Sequence, residues 1–228
     1  IIGTYNLLSA SLCFYNNLKK ENQEKFKFHH ISTDEVFGSL EPNGNFSENS
    51  KYDPRSPYSA SKASSDHLVK AWHHTYSLPV IISNCSNNYG PWQYPEKLIP
   101  KIIFNAIKGN EIPIYGNGSN IRDWLYVEDH VEAIDLILHK GNLGETYALG
   151  ANNEKKNLDL VHYLIEKVDQ RLDRSTGSSI KLIEFVDDRL GHDYRYAIDT
   201  SKIKKEIGWK ASTSFDEGIE QNQPSYHR

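Results

Sequence analysis

Pro79-Val80-Ile81-Ile82-Ser83 is the stretch that decides the fold, because its centre is short and wholly apolar. Such a run is typical of a strand that a parallel sheet buries on both faces. Upstream of it, a helix is predicted from Pro57 to about Tyr76, and Phe28 to Ser32 has the pattern of another short strand. Strand, helix and strand in this order make the crossover unit of an α/β sheet, so the sequence predicts an α/β fold.

The rest of the chain alternates helix and strand patterns in the same way. Helices are predicted over residues 1–18, 98–107, 127–138 and 201–207, with a further one capped by Asn157 or Asp159 and ending near 172. Strands are predicted over 111–115, 145–149 and 180–186, with extended segments at 122–126 and 195–199. Residues 84–100 are irregular, and residues 39–57 form a loop of a length that is usually functional.

Composition narrows the class of protein. The chain has 228 residues, 38% of them hydrophobic and 25% charged, which suits one large globular domain or two small ones. A formal net charge of −4 argues against nucleic acid as a partner. Two cysteines, Cys13 and Cys85, make no disulfide framework, so a reducing cytoplasm is expected. No stretch reaches the ~18 apolar residues of a membrane span, and no signal-peptide pattern opens the chain.

The sequences at the two ends of the chain indicate a fragment of a longer protein. The sequence contains no methionine and begins inside a helical pattern, Ile1 to Leu8. Residues 221–228 lose all periodicity. We therefore expect a piece of a longer protein, cut at the front and altered at the back.

A tyrosine and a lysine are the first candidates for chemistry. Tyr58 and Lys62 are four positions apart, so a helix places them on one face. An ammonium beside a phenol lowers the pKa of the tyrosine, and a tyrosine so tuned can act as general base for an alcohol proton. The same spacing is also that of an ordinary solvated helix face, and the pair by itself does not decide between the two.

Two adjacent carboxylates are the second candidates. Asp34 and Glu35 follow the predicted strand 28–32 and stand just before Gly38. Ligands of open α/β sheets bind at the carboxyl edge of the strands. Two carboxylates there can divide the work, one neutral as acid and one ionised as base, which suits elimination of water. The alternative is a charged surface loop.

Together these stretches resemble the extended short-chain dehydrogenase/reductase family. The resemblance rests on Ser-Thr-Asp-Glu-Val-Phe-Gly at 32–38 and Pro-Tyr-Ser-Ala-Ser-Lys at 57–62, with 85–91, 95–100 and 122–130 in the expected order. Thr33-Asp34-Glu35 is similar to the nucleotide-sugar 4,6-dehydratases, above all those that act on dTDP-glucose. The resemblance covers residue 1 to about residue 220.

The resemblance implies an incomplete Rossmann-like doubly wound parallel sheet with a smaller C-terminal α/β substrate-binding domain. Residues 1–90, joined by 121–150, would be the remaining part of an NAD-binding domain whose glycine-loop half is absent. Residues 91–120 and 151–228 would bind the nucleotide sugar. The family also implies a homodimer formed through residues 1–18 and 58–76, a cytoplasmic location and a step in dTDP-rhamnose biosynthesis.

Five residues receive catalytic roles from the resemblance. Tyr58 would take the proton of the sugar 4-hydroxyl while NAD accepts the C4 hydride, and Lys62 would hold the cofactor ribose and tune Tyr58. Thr33 would hydrogen-bond the sugar near O4. Glu35 would remove the C5 proton, and Asp34 would protonate the departing C6 hydroxyl. Return of the hydride to C6 would give a 4-keto-6-deoxy sugar.

Further residues receive binding roles in the same way. Asn88 would touch the nicotinamide end of NAD. The positions implied to bind the nucleotide and diphosphate of the substrate are Asn87, Lys97, Leu98, Pro113, Tyr115, Arg122, Asn157, Arg189 and His192. From the residues alone, Arg122 and Arg189 could equally be ordinary surface arginines.

No metal is predicted. The chain has ten histidines, but His29-His30 and His73-His74 are adjacent pairs, whose side chains diverge on a strand or a helix. No histidine spacing typical of a zinc site occurs. Cys85 has the character of a small buried residue rather than of a nucleophile.

Three departures from the family pattern keep two alternatives open. The glycine-rich turn that binds a pyrophosphate is missing, Leu190 stands where the family carries proline, and Pro224 interrupts the tail. One alternative is another epimerase or dehydratase of the same fold, although an epimerase has no use for the Asp-Glu pair. The other is a truncated remnant without catalysis.

Overall fold

A three-stranded parallel sheet lies at the centre of the fold in the computed structural model, which describes residues 1–221. β1 (Phe28–Thr33), β2 (Val80–Cys85) and β6 (Thr146–Leu149) lie in the order β1-β2-β6. Their register sets Thr33 opposite Cys85 and Cys85 opposite Leu149, so the carboxyl ends of the strands share one edge. The predicted crossover from the first strand through a helix to the second is confirmed.

Helices cover both faces of this sheet because β2 is apolar on both. Val80 and Ile82 pack in a buried cluster with Leu8 of α1 (Ile2–Asn17) and Val69 of α3 (Pro57–Tyr76). The alternate residue Ile81 packs on the opposite face, against α5 (Val127–Lys140) and α7 (Ser201–Glu206). A short helix α2 (Lys20–Gln23) joins α1 to β1.

Two smaller sheets complete the fold. β3 (Asn87–Tyr89) and β5 (Ile121–Tyr126) run parallel, with β7 (Glu154–Lys156) antiparallel to β5, and β4 (Ile112–Tyr115) pairs in parallel with β8 (Ile183–Val186). Around them pack α4 (Leu98–Lys108), α6 (Asn157–Arg171) and α8 (Phe215–Gln221).

Several boundaries differ from the prediction. The predicted strand over 180–186 begins only at Ile183, because Ser178–Leu182 forms a 3₁₀ helix. Asn157 does not cap α6 but is its first residue. The N-cap position is Lys156, whose side chain makes no capping hydrogen bond. β3, β7, α2 and α8 were not predicted, since they are short and their residues show no apolar pattern that sets them apart from the neighbouring loops.

Part of the C-terminal segment packs against the first sheet. Residues 151–228 were assigned to the substrate-binding domain, yet Ile203, Ile207 and Trp209 pack with the cluster on the first sheet. The expected alteration of the tail, including Pro224, lies outside the described residues. Over residues 1–221, no helix has both the length and the apolar surface needed to cross a bilayer.

Candidate active site

The carboxyl end of β1 turns directly into a short 3₁₀ helix, Asp34–Phe37, where the sequence indicated a loop. The Thr33 hydroxyl accepts a hydrogen bond from the Glu35 amide at 3.3 Å and donates one to Asp34 Oδ1 at 3.2 Å. Gly38 ends this turn at φ +87°, where a Cβ would lie 2.6 Å from the Asp53 carbonyl oxygen. Glycine is therefore required for the turn to close against the long loop.

The surroundings of Asp34 favour the protonated form of its carboxyl group. Its side chain is only 2% exposed. Burial, followed by the charges of Glu35 and Asp123, raises the pKa of Asp34 to about 8, against the opposing effect of the Arg122 guanidinium. A carboxyl group in this state can donate a proton.

Glu35 has a different environment although it is the next residue. Burial raises its pKa, but the cationic side chains of Arg122 and Lys97 oppose that shift, while Asp193 adds to it. Glu35 thus lies beside two cations that favour its charged form. Neighbouring carboxyl groups held in different surroundings are the arrangement that acid and base roles require.

Tyr58 lies in the first turn of α3, at the same edge of the sheet. The helix starts after Ser56, whose side chain and that of Ser59 form a capping box, with Pro57 as the first helical residue. The phenol is 55% exposed. On the next turn, Lys62 Nζ donates a hydrogen bond to the Ile31 carbonyl oxygen at 2.8 Å.

The predicted lowering of the Tyr58 pKa is wrong for this structure. Burial, followed by the charges of Glu35, Cys85 and Asp34, raises the pKa of Tyr58. The Lys62 ammonium is bonded to the β1 backbone, so the carboxylates dominate the field at the phenol. α3 packs against the 3₁₀ helix and is bonded through Lys62 to the end of β1, so Tyr58, Asp34 and Glu35 lie on neighbouring elements at one edge of the sheet.

The side chains near the carboxyl end of β2 are uncharged. Burial raises the pKa of the Cys85 thiol to about 12, and the thiol donates to the Ser32 carbonyl oxygen at 3.4 Å, so it is no nucleophile. Asn88 Nδ2 donates to the Ser86 carbonyl oxygen at 3.0 Å, and Asn88 Oδ1 lies 2.8 Å from His130 Nδ1. Burial lowers the pKa of His130 to about 4, so the imidazole is neutral and donates from Nδ1.

Arg122 is a buried arginine and not a surface one. Its guanidinium donates to the backbone oxygens of Ile121, Asp193 and Tyr194 and lies 4.3 Å above the ring of Tyr196. These contacts hold a positive charge beside Glu35 and Asp34. Lys97, the residue before α4, supplies a second positive charge there, and Leu98 begins that helix.

Tyr115, Arg189 and His192 lie near the carboxyl end of β4, whereas Asn87 is on β3 and Asn157 begins α6. The Arg189 guanidinium stacks 4.1 Å from the ring of Tyr115. His192 Nδ1 lies 2.6 Å from Asp188 Oδ1, and Leu190 between them is fully exposed. Pro113 is on β4 itself, and residues 193–196, which follow His192 in the chain, contact the Arg122 guanidinium.

Three carboxylates of the site were missed by the sequence analysis: Asp66, Asp123 and Asp193. Asp123 and Asp193 influence Asp34 and Glu35 from distant parts of the chain; Asp123 lies in the 122–130 stretch that carries the resemblance but received no role, and no local pattern points to Asp193. Asp66 carries a signal that could have been used, because it follows Lys62 by four residues on the same face of α3.

Unpaired buried polar atoms indicate that the site suits a polar ligand. Within the described part of the chain, the buried side-chain atoms without a hydrogen-bond partner include Asp34 Oδ2, Ser86 Oγ, Asn87 Oδ1, Asn157 Oδ1 and Asp193 Oδ1. Such atoms destabilise a fold unless they are paired. Hydroxyls and amides of a sugar nucleotide or a nicotinamide cofactor would pair with them. Residues 1–221 contain no group of three or more His, Cys, Asp or Glu arranged to hold a metal ion.

The chain is similar to proteins of known activity. The family model described as GDP-mannose 4,6 dehydratase matches residues 1–222. A dTDP-glucose 4,6-dehydratase of Escherichia coli is 53% identical, over 96% of this chain and 63% of that protein. The enzyme of the same name from Xanthomonas campestris is 49% identical, over 99% and 65%. The chain therefore spans less than two thirds of the length of these relatives.

Solved structures agree with this similarity. A dTDP-glucose 4,6-dehydratase from Bacillus anthracis in complex with NAD has a TM-score of 0.84 and 45% identity, over 97% of this chain and 65% of that one. A UDP-glucuronic acid 4-epimerase from Bacillus cereus, in complex with UDP-glucuronic acid and NAD, has a TM-score of 0.83 and 26% identity over the same shares.

Proposed function

This chain belongs to the GDP-mannose 4,6 dehydratase family, and from that premise we propose that it dehydrates dTDP-glucose to the 4-keto-6-deoxy sugar. The observation that carries the proposal is the convergence of Tyr58, Asp34 and Glu35 at the carboxyl edge of β1. The relatives from Escherichia coli and Xanthomonas campestris, both named dTDP-glucose 4,6-dehydratase, support the choice of dTDP-glucose.

NAD is the cofactor that the fold implies, and when bound it would supply reversible acceptance of a hydride. Tyr58 and Lys62, on one face of α3, would hold its ribose, with Asn88 at the nicotinamide end. Support comes from the exposed Tyr58 phenol and from the unpaired Ser86 hydroxyl and Asn87 amide oxygen at the same edge.

Oxidation at C4 requires removal of a hydroxyl proton, and we assign this to Tyr58. The raised pKa of its phenol makes it a strong base once it is ionised. Approach of the Lys62 ammonium would favour that ionised form, at the expense of its bond to the Ile31 carbonyl oxygen. Thr33 would contact the sugar near O4.

Elimination of water across C5 and C6 requires a base and an acid, and the two carboxyl groups divide these roles. Glu35, beside Arg122 and Lys97, would remove the C5 proton that the 4-ketone has acidified. Asp34, whose pKa burial raises to about 8, would give its proton to the leaving C6 hydroxyl. Burial favours the neutral form of Asp34, and the charges of Arg122 and Lys97 favour the ionised form of Glu35, which fits these two roles.

The nucleotide and diphosphate of the substrate would bind to Arg122 and to the residues near the carboxyl end of β4. Arg122 would act on the diphosphate as a fixed positive charge, and Arg189 as a guanidinium that can fork onto a phosphate. Pro113 and Tyr115 would line the base, and the remaining contacts would come from Asn87, Lys97, Leu98, Asn157 and His192.

Product analysis tests this function. The protein at its native length, incubated with dTDP-glucose and NAD, should form a product with the strong alkaline ultraviolet absorbance of a 4-keto sugar. The Glu35→Gln variant should not form it. An epimerised hexose that keeps its C6 hydroxyl would overturn the proposal in favour of a 4-epimerase of the same fold, and UDP-glucose in a parallel assay would test the base.

We also propose a cytoplasmic homodimer that serves dTDP-rhamnose biosynthesis. Support for the dimer is the apolar surface of α1, where Ile2, Leu7 and Phe14 are 76%, 62% and 59% exposed. Light scattering on the purified protein should give twice the chain mass, and a Leu7→Lys variant should give the monomer.

A further inference from the structure

A buried carboxylate on α3 lies directly behind the turn that carries Asp34 and Glu35. Asp66 has no exposed surface. Its oxygens lie 2.9–3.2 Å from polar atoms of four side chains, those of His30, Ser32, Tyr52 and Asn84. Burial raises the pKa of Asp66, but these hydrogen bonds outweigh it and lower the pKa, so the group is a buried anion.

Two of these side chains connect Asp66 to the turn. Ser32 is the residue before Thr33, and its hydroxyl donates to Asp66 Oδ2 at 2.9 Å. Asn84 Nδ2 donates both to Asp66 Oδ2 at 3.2 Å and to the Thr33 carbonyl oxygen at 3.0 Å. The carboxylate thus holds Ser32 directly and is connected to the Thr33 carbonyl oxygen through the Asn84 amide.

The face of α3 that presents Tyr58 is the face that carries Asp66. The two residues are two helical turns apart, with Lys62 between them. Lys62 bonds the Ile31 carbonyl oxygen, and Asp66 bonds Ser32, so consecutive residues of β1 contact consecutive turns of the helix. Any shift of α3 along β1 would break both contacts.

We propose, resting on the function proposed above, that Asp66 is a positioning residue that sets Tyr58 on α3 against Asp34 and Glu35 in the turn. Oxidation and elimination act on neighbouring carbons of one hexose, so the phenol and the carboxyl groups must keep one mutual geometry. A displacement of about 1 Å lowers a rate about 100-fold. Asparagine at this position would keep the size but lose the charge and leave buried donors unpaired.

A second buried carboxylate provides a matched control. Asp169 on α6 also has no exposed surface, and its oxygens accept from the amide and hydroxyl of Ser179. Ser32 and Ser179 are each 4% exposed. The test therefore compares Asp66→Asn with Asp169→Asn, and Ser32→Ala with Ser179→Ala.

Backbone hydrogen exchange is the first measurement. The Glu35 amide bonds the Thr33 hydroxyl, and the Gly38 amide bonds the Glu35 carbonyl oxygen. Asp66→Asn and Ser32→Ala should speed exchange of these amides about tenfold, because the turn loses its support. The two control variants should leave them at the wild-type rate.

Steady-state kinetics is the second measurement. Asp66→Asn should lower kcat about 100-fold and Ser32→Ala about tenfold, with KM within about threefold of wild type, since geometry and not ground-state binding is lost. The control variants should keep kcat within about threefold. Ser32→Ala keeps the test decisive if Asp66→Asn does not fold.

Two results would overturn the proposal: wild-type exchange of the Glu35 and Gly38 amides in both test variants, or an equal fall of kcat in the controls. Hydrogen exchange needs no substrate. A wild-type protein without dehydratase activity would therefore refute the proposed function, while the exchange rates would still decide whether Asp66 holds the turn.

Discussion

At the scale of single residues, Asp34 and Glu35 differ in their surroundings although they are neighbours in the chain. Asp34 points into the protein and keeps its proton, whereas Glu35 lies beside Arg122 and Lys97. Burial of an acidic group in this way lowers the stability of the fold wherever that group would otherwise ionise. The chemistry of the site is thus linked to a measurable pH dependence.

Asp34→Asn is expected to stabilise the fold at about pH 8 and to change it little at about pH 4. The folded protein holds the Asp34 proton up to about pH 8, while the unfolded chain loses it near pH ~4. Between these values the folded state binds the extra proton, so the free energy of unfolding falls as the pH rises. Because about 1.4 kcal/mol is lost for each pH unit between the two pKa values, asparagine should recover on the order of 5 kcal/mol at the upper end.

Thermal unfolding across this pH range measures the difference between wild type and Asp34→Asn. The two curves should meet at low pH and separate as the pH rises. Parallel curves over the whole range would show that Asp34 is ionised in the folded protein.

Tyr58→Phe should lower kcat by about 10²- to 10⁴-fold, because the phenol is the assigned base for the C4 hydroxyl. Stability should stay within about 0.5 kcal/mol, since the side chain is 55% exposed. Tyr76→Phe is the matched control on the same helix, with 52% of the side chain exposed, and should keep full activity. Equal loss in the two variants would contradict the assignment of Tyr58.

At the scale of elements, the start of α3 determines where Tyr58 stands. The Ser59 amide donates to Ser56 Oγ at 3.0 Å, and the Ser56 amide donates to Ser59 Oγ at 3.0 Å. These bonds satisfy amides that the first turn of a helix leaves without partners. Tyr58 lies between the two serines, so its backbone is held on both sides.

Ser56→Ala should destabilise the fold by about 1 kcal/mol because it removes the cap of α3. Ser64→Ala is the control inside the same helix, where the hydroxyl only bonds the Ala60 carbonyl oxygen at 2.8 Å. That change should be neutral or slightly stabilising, since alanine has the higher helix propensity. Urea unfolding compares the two, and similar losses would mean that the cap contributes nothing.

At the scale of the whole molecule, the long loop after β1 is tied to the segment over residues 194–199. The Leu40 amide donates to the Arg195 carbonyl oxygen at 2.9 Å, and the Phe46 amide to the Ala197 carbonyl oxygen at 2.8 Å. Arg195 forks onto Glu154 at 2.6 and 2.7 Å and also donates to the carbonyl oxygens of Glu41 and Gly44. One arginine therefore joins the loop, this segment and β7.

Arg195→Lys should lower the free energy of unfolding by about 2 kcal/mol, because an ammonium cannot reproduce the fork onto Glu154 together with the bonds to the two carbonyl oxygens. Arg55→Lys is the control, since Arg55 and its partner Asp53 have side chains 52% and 66% exposed. It should change stability by less than about 0.5 kcal/mol. Chemical unfolding measures both variants, and equal effects would show that the Arg195 contacts are not stabilising.

The elements that could be predicted are those with a clear pattern of apolar residues. The helix from Pro57 to Tyr76 is found at the predicted residues, and β1 and β2 differ from their predicted ends by one or two. β3 and β7, of three residues each, form only because β5 lies beside them to complete their hydrogen bonds. Three residues have no period of their own, so no local pattern could have indicated them.

By itself the sequence determined most of the helices and strands and which side chains are candidates for the reaction, because periodicity and motif spacing are local. Only the tertiary structure decided the state of those side chains. Arg122, Lys97 and Asp193 act on Glu35 from positions far along the chain, and burial by distant elements keeps Asp34 protonated and raises the pKa of Tyr58. Burial and charge act through space, and the distances that govern them exist only after the chain has folded.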